Sequence, residues 1–453
     1  MKQTYILLVL IAFTCFPAIC SAQSASTDKK ATEVKYRRSS LYTIMIDDAG
    51  LINGAVIKDA FLKAPIPGKF NDHLLEIRTF NPKQYPLTAE EKAKAHMPRK
   101  ANVWGQLAVN TGKGIASDVT GGLVDTTTVK ELPYVISKFA VNNNIARGMI
   151  AKWFNRGADG AFNMNLVGER GQYDATEMQA GIAKMSVRGV AVLADAGIEL
   201  IGNTFVIVTR FNYIKKEAIA SASKSAITTA GSFFSVNGQS VANIANSAVD
   251  VMAKGYVVQT TSYLFKLVWN DSVEAVFYQN YWIDQTRFDA VKKEAFDKTN
   301  LFTLELIGDE SAWADVQSTI YTKKTEEELI RVATVRAIDA VIAKLEKKYD
   351  IFKTKTPLYS VDPLSAKIGL KEGLEGGDKF EVLEQTQDEK TGLTKYVCMG
   401  KIKVDKDQIW DNRYMAAEMP KPDQGSGSTP IDRTLFEGSG KKFAPGMLIR
   451  QLK

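Results

Sequence analysis

The chain has 453 residues, of which 45% are hydrophobic and 24% charged, and its 58 basic and 51 acidic side chains give a formal net charge of +7. This length and composition are typical of a globular protein with two or three domains. The basic excess is small and spread along the chain, which excludes the concentrated positive surface of a nucleic-acid-binding protein.

The first 22 residues have the three-part layout of a cleavable secretory signal. Lys2 supplies a positive charge, and residues 5–16 form a largely apolar run without a charged side chain. The run is shorter than the ~20 residues that cross a bilayer. We therefore predict cleavage after Ala22 and an exported mature protein.

Cys20 offers a second interpretation of the same segment, in which the cysteine carries a lipid. The preceding residues 17–19 read Pro-Ala-Ile and match the small-residue pattern of a lipoprotein signal poorly, so we favour plain cleavage over a lipid anchor. Either route places the protein in the periplasm or at the outer membrane. Later segments lack the length and apolarity of a membrane helix, so we predict no integral membrane segment after signal cleavage.

Cleavage removes Cys15 and Cys20 and leaves Cys398 alone in the mature chain. An internal disulfide is then impossible, and a hydrophobic core must hold the exported protein together. Cys398 lies inside a β-like run, which predicts a small buried side chain. A basic cluster between Lys29 and Arg38 is interpreted as a solvated arm at the mature N-terminus.

The first half of the chain predicts short strands and helices in alternation. Residues 40–47 form a β-rich run, residues 55–62 a short helix and residues 129–151 a longer one. Residues 161–167 alternate apolar and polar side chains like a half-buried strand, and residues 204–213 are apolar and β-branched like an interior strand.

A turn and a capped helix are predicted between those last two strands. Residues 168–174 form the turn, and Asp174 or Thr176 begins the helix. The resulting strand-helix-strand unit implies a parallel pair of strands with a right-handed crossover.

This turn is the candidate binding site. Glu169, Arg170, Gly171 and Asp174 lie where backbone amides and a helix dipole can hold an anion. An ion pair between Glu169 and Arg170 that closes its own turn explains the same residues equally well.

The middle of the chain combines a small-residue segment with a predicted hairpin. Residues 217–253 are rich in Ala, Ser, Asn and Gly and predict two helices, which we interpret as an insertion over the core rather than a close helix interface. Residues 255–269 and 272–282 are rich in aromatic and β-branched side chains and flank Asn-Asp, which predicts a hairpin. Residues 302–307 predict another strand.

A long helix follows, and after it the sequence pattern changes to short β-like runs. Thr325 and Glu328 form a capping box, and amphipathic spacing continues to about Tyr349. Behind a boundary at residues 350–357 we predict short strands at residues 379–384, 395–404 and 447–452. The fold class is therefore α+β or α/β: a mixed-sheet domain over residues 23–352, followed by a small SH3-like β-barrel over residues 353–453.

Few side chains suggest bond-making chemistry. The only histidines are His73 and His96, which excludes a multi-histidine zinc site or a histidine-based triad, and we interpret His73 as a surface residue in a turn. Residues 111–114, Thr-Gly-Lys-Gly, lack the full phosphate-binding pattern and predict a loop. Residues 47–48 and 309–310 are adjacent carboxylates that favour turns over a glycosidase pair.

The segment 162–213 resembles α/β domains of bacterial envelope assembly proteins. Its strand, Glu-Arg-Gly turn and capped helix, followed by Gly-Asn-Thr-Phe-Val-Ile-Val, are similar to those of the curli secretion channel subunit, of lipoproteins that activate cell-wall synthases and of a periplasmic flagellar assembly protein. In the flagellar family a small β-barrel follows the α/β part. These families are not enzymes, so the resemblance implies neither catalytic residues nor a cofactor.

We therefore interpret the chain as an exported, non-catalytic binding or assembly protein of the cell envelope, with envelope proteins or glycan as partners. One alternative is an exported hydrolase that uses carboxylates. Another is a carbohydrate-binding module that uses Trp269, Trp282 or Trp313, although these side chains favour the core. The sequence indicates neither a specific ligand nor an oligomeric state.

Overall fold

The computed structural model describes nine ranges of the chain: residues 39–96, 126–171, 199–215, 235–236, 239–240, 255–317, 324–387, 394–418 and 431–452. Several predicted features lie outside these ranges: the secretory signal, the basic cluster, the loop at residues 111–114, the helix that begins at Asp174 or Thr176, and most of residues 217–253. In the described residues, no helix combines the length and apolarity that a membrane span requires.

The described part before the last long helix contains eight strands. In chain order they are β1 (Ser39–Ile46), β2 (Phe70–Asp72), β3 (Thr79–Phe80), β4 (Thr204–Lys215), β5 (Ser235–Val236), β6 (Gln239–Ser240), β7 (Gly255–Leu267) and β8 (Leu304–Gln317). Six of them form a sheet in the order β2-β1-β4-β7-β8, with β3 also paired to β1. β1 runs parallel to β2, β3 and β4, whereas β7 is antiparallel to β4 and β8. The sheet is therefore mixed.

Eight α-helices accompany the sheet in the described ranges. They are α1 (Gly54–Lys63), α2 (Ala89–His96), α3 (Thr126–Asn142), α4 (Ile145–Trp153), α5 (Asn165–Gly171), α6 (Asp271–Asn280), α7 (Ala290–Lys298) and α8 (Glu326–Lys348).

Helices cover both faces of the sheet. Val206 and Val208 of β4 pack with side chains of α3 to α7. Phe205 and Ile207 of the same strand pack on the opposite face with α1 and α8. Because both faces are buried, β4 is apolar at successive positions, as sequence analysis predicted for an interior strand.

The strand predicted at residues 161–167 is wrong. Residues 161–164 are irregular and α5 begins at Asn165, where the Asn163 side chain accepts a hydrogen bond from the Asn165 amide at 3.1 Å. Val167, Arg170 and Gly171 are buried, and their spacing of three and four is helical rather than alternating. The parallel partner of β4 is consequently β1 and not the segment before the turn.

The hairpin predicted at residues 255–282 is also wrong in its second arm. Asn270 does not form a strand turn but begins α6, because its side chain accepts a hydrogen bond from the Val273 amide at 3.1 Å. Val273 and Phe277 are four residues apart and lie buried on one side of α6. β7 instead pairs with β4 and β8.

Another predicted helix is divided. The helix predicted over residues 129–151 is interrupted at Asn144, whose φ of 49° is left-handed, so that α3 and α4 are separate. Between the two helices predicted within residues 217–253, residues 235–236 and 239–240 pair as a short antiparallel hairpin.

A closed barrel follows α8. Its strands are β9 (Thr356–Val361), β10 (Leu364–Ala366), β11 (Lys379–Gln387), β12 (Thr394–Val404), β13 (Thr434–Glu437) and β14 (Leu448–Gln451), in the order β10-β13-β12-β11-β14-β9. All their pairings are antiparallel. Phe380, Ile402 and Phe436 fill the interior. The fold class, a mixed-sheet α+β part followed by a small barrel, is confirmed.

α8 begins at the position that the sequence predicted. Thr325 Oγ1 accepts a hydrogen bond from the Glu328 amide, and the Glu328 carboxylate accepts one from the Thr325 amide at 2.7 Å. Ile330, Ile338 and Leu345 of the predicted apolar face pack against the sheet. The capping box and the amphipathic face are both confirmed.

We expect Thr325→Ala to lower the free energy of unfolding by about 1 kcal/mol, because it removes the side-chain acceptor of this cap. Thr325→Ser keeps the hydroxyl and serves as the control. Urea denaturation followed by helical circular dichroism measures both variants, and equal stability of the two would contradict the role of the hydroxyl.

Candidate functional site

Residues 168–171 were predicted to form a turn but belong to α5, and Arg170 among them is part of a buried polar cluster. Arg170 lies on α5 with 5% of its surface exposed. One of its terminal nitrogens, Nη1, donates to Ser40 Oγ at 3.0 Å and to His73 Nδ1 at 2.8 Å, and Nη2 donates to the Asp72 carbonyl at 2.5 Å. The guanidinium stacks on the Trp153 ring, 4.4 Å from its centroid. The side chain thus joins α5 to β1, β2 and α4.

His73 is buried and not a surface residue, which corrects the sequence interpretation. Because Arg170 can only donate, His73 Nδ1 must be the acceptor, and Nε2 then carries the proton and donates to the Met149 carbonyl at 3.0 Å. Burial, followed by the Arg170 charge, lowers the pKa of His73 well below its usual value. His73 is therefore neutral, with both ring nitrogens engaged.

These contacts engage the Arg170 donors within the protein, and anion binding at residues 169–174 stays a prediction. Burial lowers the pKa of Arg170 to about 10, which leaves the guanidinium charged at neutral pH, but its donors point into the protein. Glu169 is exposed, whereas Gly171 is buried at the end of α5. The structure brings Arg170 together with His73 instead, and Asp174 lies outside the described residues.

Asp47, Asp48 and Glu310, which belong to the carboxylates suggested as glycosidase pairs, each contact a cation. Asp47 binds Lys58 at 2.6 Å and Asp48 binds Arg210 at 2.7 Å. Glu310 binds Lys348 at 2.5 Å. These ion pairs bridge β1 to α1, β1 to β4 and β8 to α8, so they tie the sheet to its neighbouring elements.

Trp269 and Trp282 belong to an aromatic cluster. Phe154 lies 5.8 Å from Trp269 and 5.6 Å from Trp282, and Phe277 contacts both rings. Both tryptophans are partly buried and pack against the core that contains Val206 and Val208 of β4. They are core residues, as the sequence favoured.

Cys398 is exposed on β12 and not buried, which corrects its predicted environment. Its run, residues 394–404, is a strand as predicted, but the Cys398 side chain is exposed, whereas Ile402 and Val404 are buried in the barrel core. In the described ranges, no group of three or more His, Cys, Asp or Glu side chains is placed to hold a metal ion.

Charged side chains connect α8 to the barrel. Glu346 of α8 contacts Lys69, which precedes β2, and accepts a 2.5 Å hydrogen bond from Thr354 in the linker. Asp339 of α8 lies 3.6 Å from Lys371, which belongs to the barrel. The ammonium of Lys69 is buried, yet Glu346 and other nearby carboxylates outweigh burial and hold its pKa above the usual value. Lys69 is therefore positively charged.

A polar cavity of about 100 Å³ opens beside this network. We name it the junction cavity because the sheet edge, the linker and the barrel all contribute to it. Its lining residues are Ser39, Lys69, Asn203, Asp350, Ile351, Lys353, Thr354, Lys355 and Arg450. Four cations and one carboxylate thus line it, which makes the junction cavity positive.

The folding of three separate segments positions these cations. Lys69 lies directly before β2, at the edge where β1 and β4 begin. Lys353 and Lys355 flank Thr354 between a one-turn helix, Asp350–Phe352, and β9. Arg450 projects from β14, which pairs with β9 and β11.

Sequence reasoning missed the junction cavity. The pair of lysines at the domain boundary was a visible signal, but Lys69 and Arg450 are distant in the chain, and their approach depends on how the barrel packs beside the sheet. Comparison with protein-family models and with curated proteins finds no match for this chain.

Proposed function

We propose that this protein is an exported, non-catalytic binding or assembly protein of the bacterial cell envelope, and that the junction cavity holds its partner. The observation that carries the proposal is the positive lining contributed by the sheet edge, the linker and the barrel. Ligand sites form preferentially where domains meet, because two surfaces can surround a ligand there. The sequence supports the cellular location through its secretory signal and its resemblance to envelope assembly proteins.

The charge of the cavity favours an anionic partner. Lys353 binds Asp350 at 2.7 Å and Arg450 binds Glu381 at 2.5 Å, so a carboxylate holds each of these two cations in place. Such pairs fix the direction of a long side chain and thereby reduce the entropy lost when a ligand binds. The arrangement is that of a preorganised binding surface rather than of acids placed around a scissile bond.

Affinity isolation from envelope extracts tests the proposal. The bait is the chain of residues 23–453, and the cavity variant carries Lys353→Glu together with Lys355→Glu. The matched control reverses Lys401 and Lys403, two lysines of β12 outside the cavity. We expect a partner that the wild type and the control retain and the cavity variant loses, because reversed charges repel an anionic surface.

Recovery of no partner by the wild type would contradict the proposed function. Equal recovery by the cavity variant and the control would contradict the assignment of the partner to the junction cavity. Circular dichroism spectra of the three proteins establish that the charge reversals leave the fold intact.

A further inference from the structure

We propose that the junction cavity binds a phosphate group. This inference rests on the function proposed above and specifies the chemistry of its ligand. The cavity volume of about 100 Å³ lies below the ~300–1,000 Å³ of sites that enclose a drug-sized molecule. It suits a small anionic group, with the remainder of a larger ligand outside the opening.

The donors of the junction cavity exceed what its neighbouring carboxylates use. Lys69, Lys353 and Arg450 each contact one carboxylate, from Glu346, Asp350 and Glu381 respectively. An ammonium carries three N–H donors and a guanidinium five. A single carboxylate contact therefore occupies only part of the hydrogen-bonding capacity of each cation.

The number of these cations, and their origin on separate elements, favour a phosphate over a carboxylate. A carboxylate is planar, and one guanidinium can satisfy both of its oxygens. The cavity instead presents cations from the sheet edge, the linker and β14, together with Ser39, whereas the Thr354 hydroxyl already donates to Glu346. Donors that approach from several sides match the tetrahedral oxygens and higher charge of a phosphate.

Lys69 and Lys355 have surroundings that preserve their positive charge. Acidic neighbours hold the pKa of Lys69 above its usual value. The Lys355 ammonium lies 4.0 Å from the centroid of the Tyr396 ring on β12, and an aromatic face stabilises a cation. Tyr396 thereby positions Lys355 at the barrel side of the cavity.

Isothermal titration calorimetry of residues 23–453 with inorganic phosphate tests the inference, with acetate as the carboxylate comparator. We expect phosphate to bind at least about tenfold more tightly than acetate. Arg450→Gln and Lys355→Gln should each weaken phosphate binding about tenfold, the loss expected for one charged hydrogen bond. Lys403→Gln is the matched control, because Lys403 pairs with Glu437 on the same barrel but outside the cavity, and it should leave the affinity unchanged.

Two further arms identify the source of the phosphate. Glycerol phosphate represents a soluble phosphate ester, and vesicles of phosphatidylglycerol represent a lipid headgroup. A folding control is also needed: Arg450→Lys keeps the charge, so retained binding in this variant shows that the weaker binding of Arg450→Gln does not come from loss of folding. Absence of binding to all three phosphate probes, or equal loss in the control, would overturn the inference. If a partner is recovered through the cavity without phosphate binding, only the phosphate assignment fails; if phosphate binds but no partner is recovered, only the envelope-binding proposal fails.

Discussion

Arg170→Ala is expected to lower the free energy of unfolding of the mixed-sheet part by about 3 kcal/mol or more. The substitution removes a charged donor from Ser40, His73 and the Asp72 carbonyl, and hydrogen bonds to charged groups contribute about 1.5–3 kcal/mol each. It also removes this donor from the buried Ser40 Oγ and His73 Nδ1 and removes the stacking on Trp153. The variant no longer buries a positive charge, which is unfavourable, and this gain offsets part of the loss in stability.

Urea denaturation followed by tryptophan fluorescence measures this loss, since Trp153 lies inside the cluster. Glu169→Ala is the matched control, because Glu169 is the exposed neighbour of Arg170 on α5, and it should change stability by less than about 0.5 kcal/mol. The loss of stability in Arg170→Lys should lie between those of Arg170→Ala and Glu169→Ala, because one ammonium cannot reach all three acceptors. A cost for Arg170→Ala no larger than for Glu169→Ala would show that the cluster contributes nothing to stability.

The sequence predicted those elements whose local pattern is long. β4 has twelve residues and α8 has twenty-three, and in both the apolar spacing extends far enough to distinguish a strand from a helix. The capping residues Thr325 and Glu328 also identified where α8 begins. Three of the six barrel strands, β11, β12 and β14, were predicted because each of these apolar runs is bounded by residues that favour turns.

Short segments were misinterpreted because their sequence patterns are compatible with both a strand and a helix. Residues 161–167 alternate for only seven positions, which are too few to distinguish a strand from a helix. Asn270 followed by Asp271 is both a tight-turn signal and a helix N-cap. Packing of α5 and α6 against the aromatic cluster decides between these alternatives, and that packing is not local in sequence.

The buried environments of His73 and Arg170 could not be predicted for a different reason. Arginine is almost never fully buried without partners, and here the partners come from β1, β2 and α4, more than 90 residues away for His73. The junction cavity has the same origin, because Lys69 and Arg450 meet only after the barrel has packed beside the sheet edge. Contacts of this kind follow from the tertiary fold alone.

Asp339 of α8 is the buried carboxylate with the largest expected effect on pH-dependent stability. It is 9% exposed, and its Oδ2 has no hydrogen-bond partner in the described residues. Burial, which Lys371 and Lys69 oppose and Glu372 reinforces, raises the pKa of Asp339 from 3.8 to about 6. The folded state therefore binds more protons than the unfolded state between about pH 4 and pH 6.

The sign of the effect follows from this difference in proton binding. Stability decreases with rising pH wherever the folded state binds more protons. The contribution of Asp339 is thus fully present below about pH 4 and is lost as the pH rises to about 6. A carboxyl whose pKa rises from 3.8 to about 6 changes the free energy of unfolding by about 3 kcal/mol over this range.

We expect Asp339→Asn to remove this dependence, because an amide does not titrate. The difference in free energy of unfolding between the variant and the wild type should shift by about 3 kcal/mol in favour of the variant between pH 4 and pH 7. Urea denaturation at closely spaced pH values measures it. The same substitution at Asp407, an exposed carboxylate of the barrel, is the control and should change stability by less than about 0.5 kcal/mol at every pH. A pH-independent difference for Asp339→Asn would mean that Lys371 compensates the buried charge completely, and that the contact between α8 and the barrel does not respond to pH through this residue.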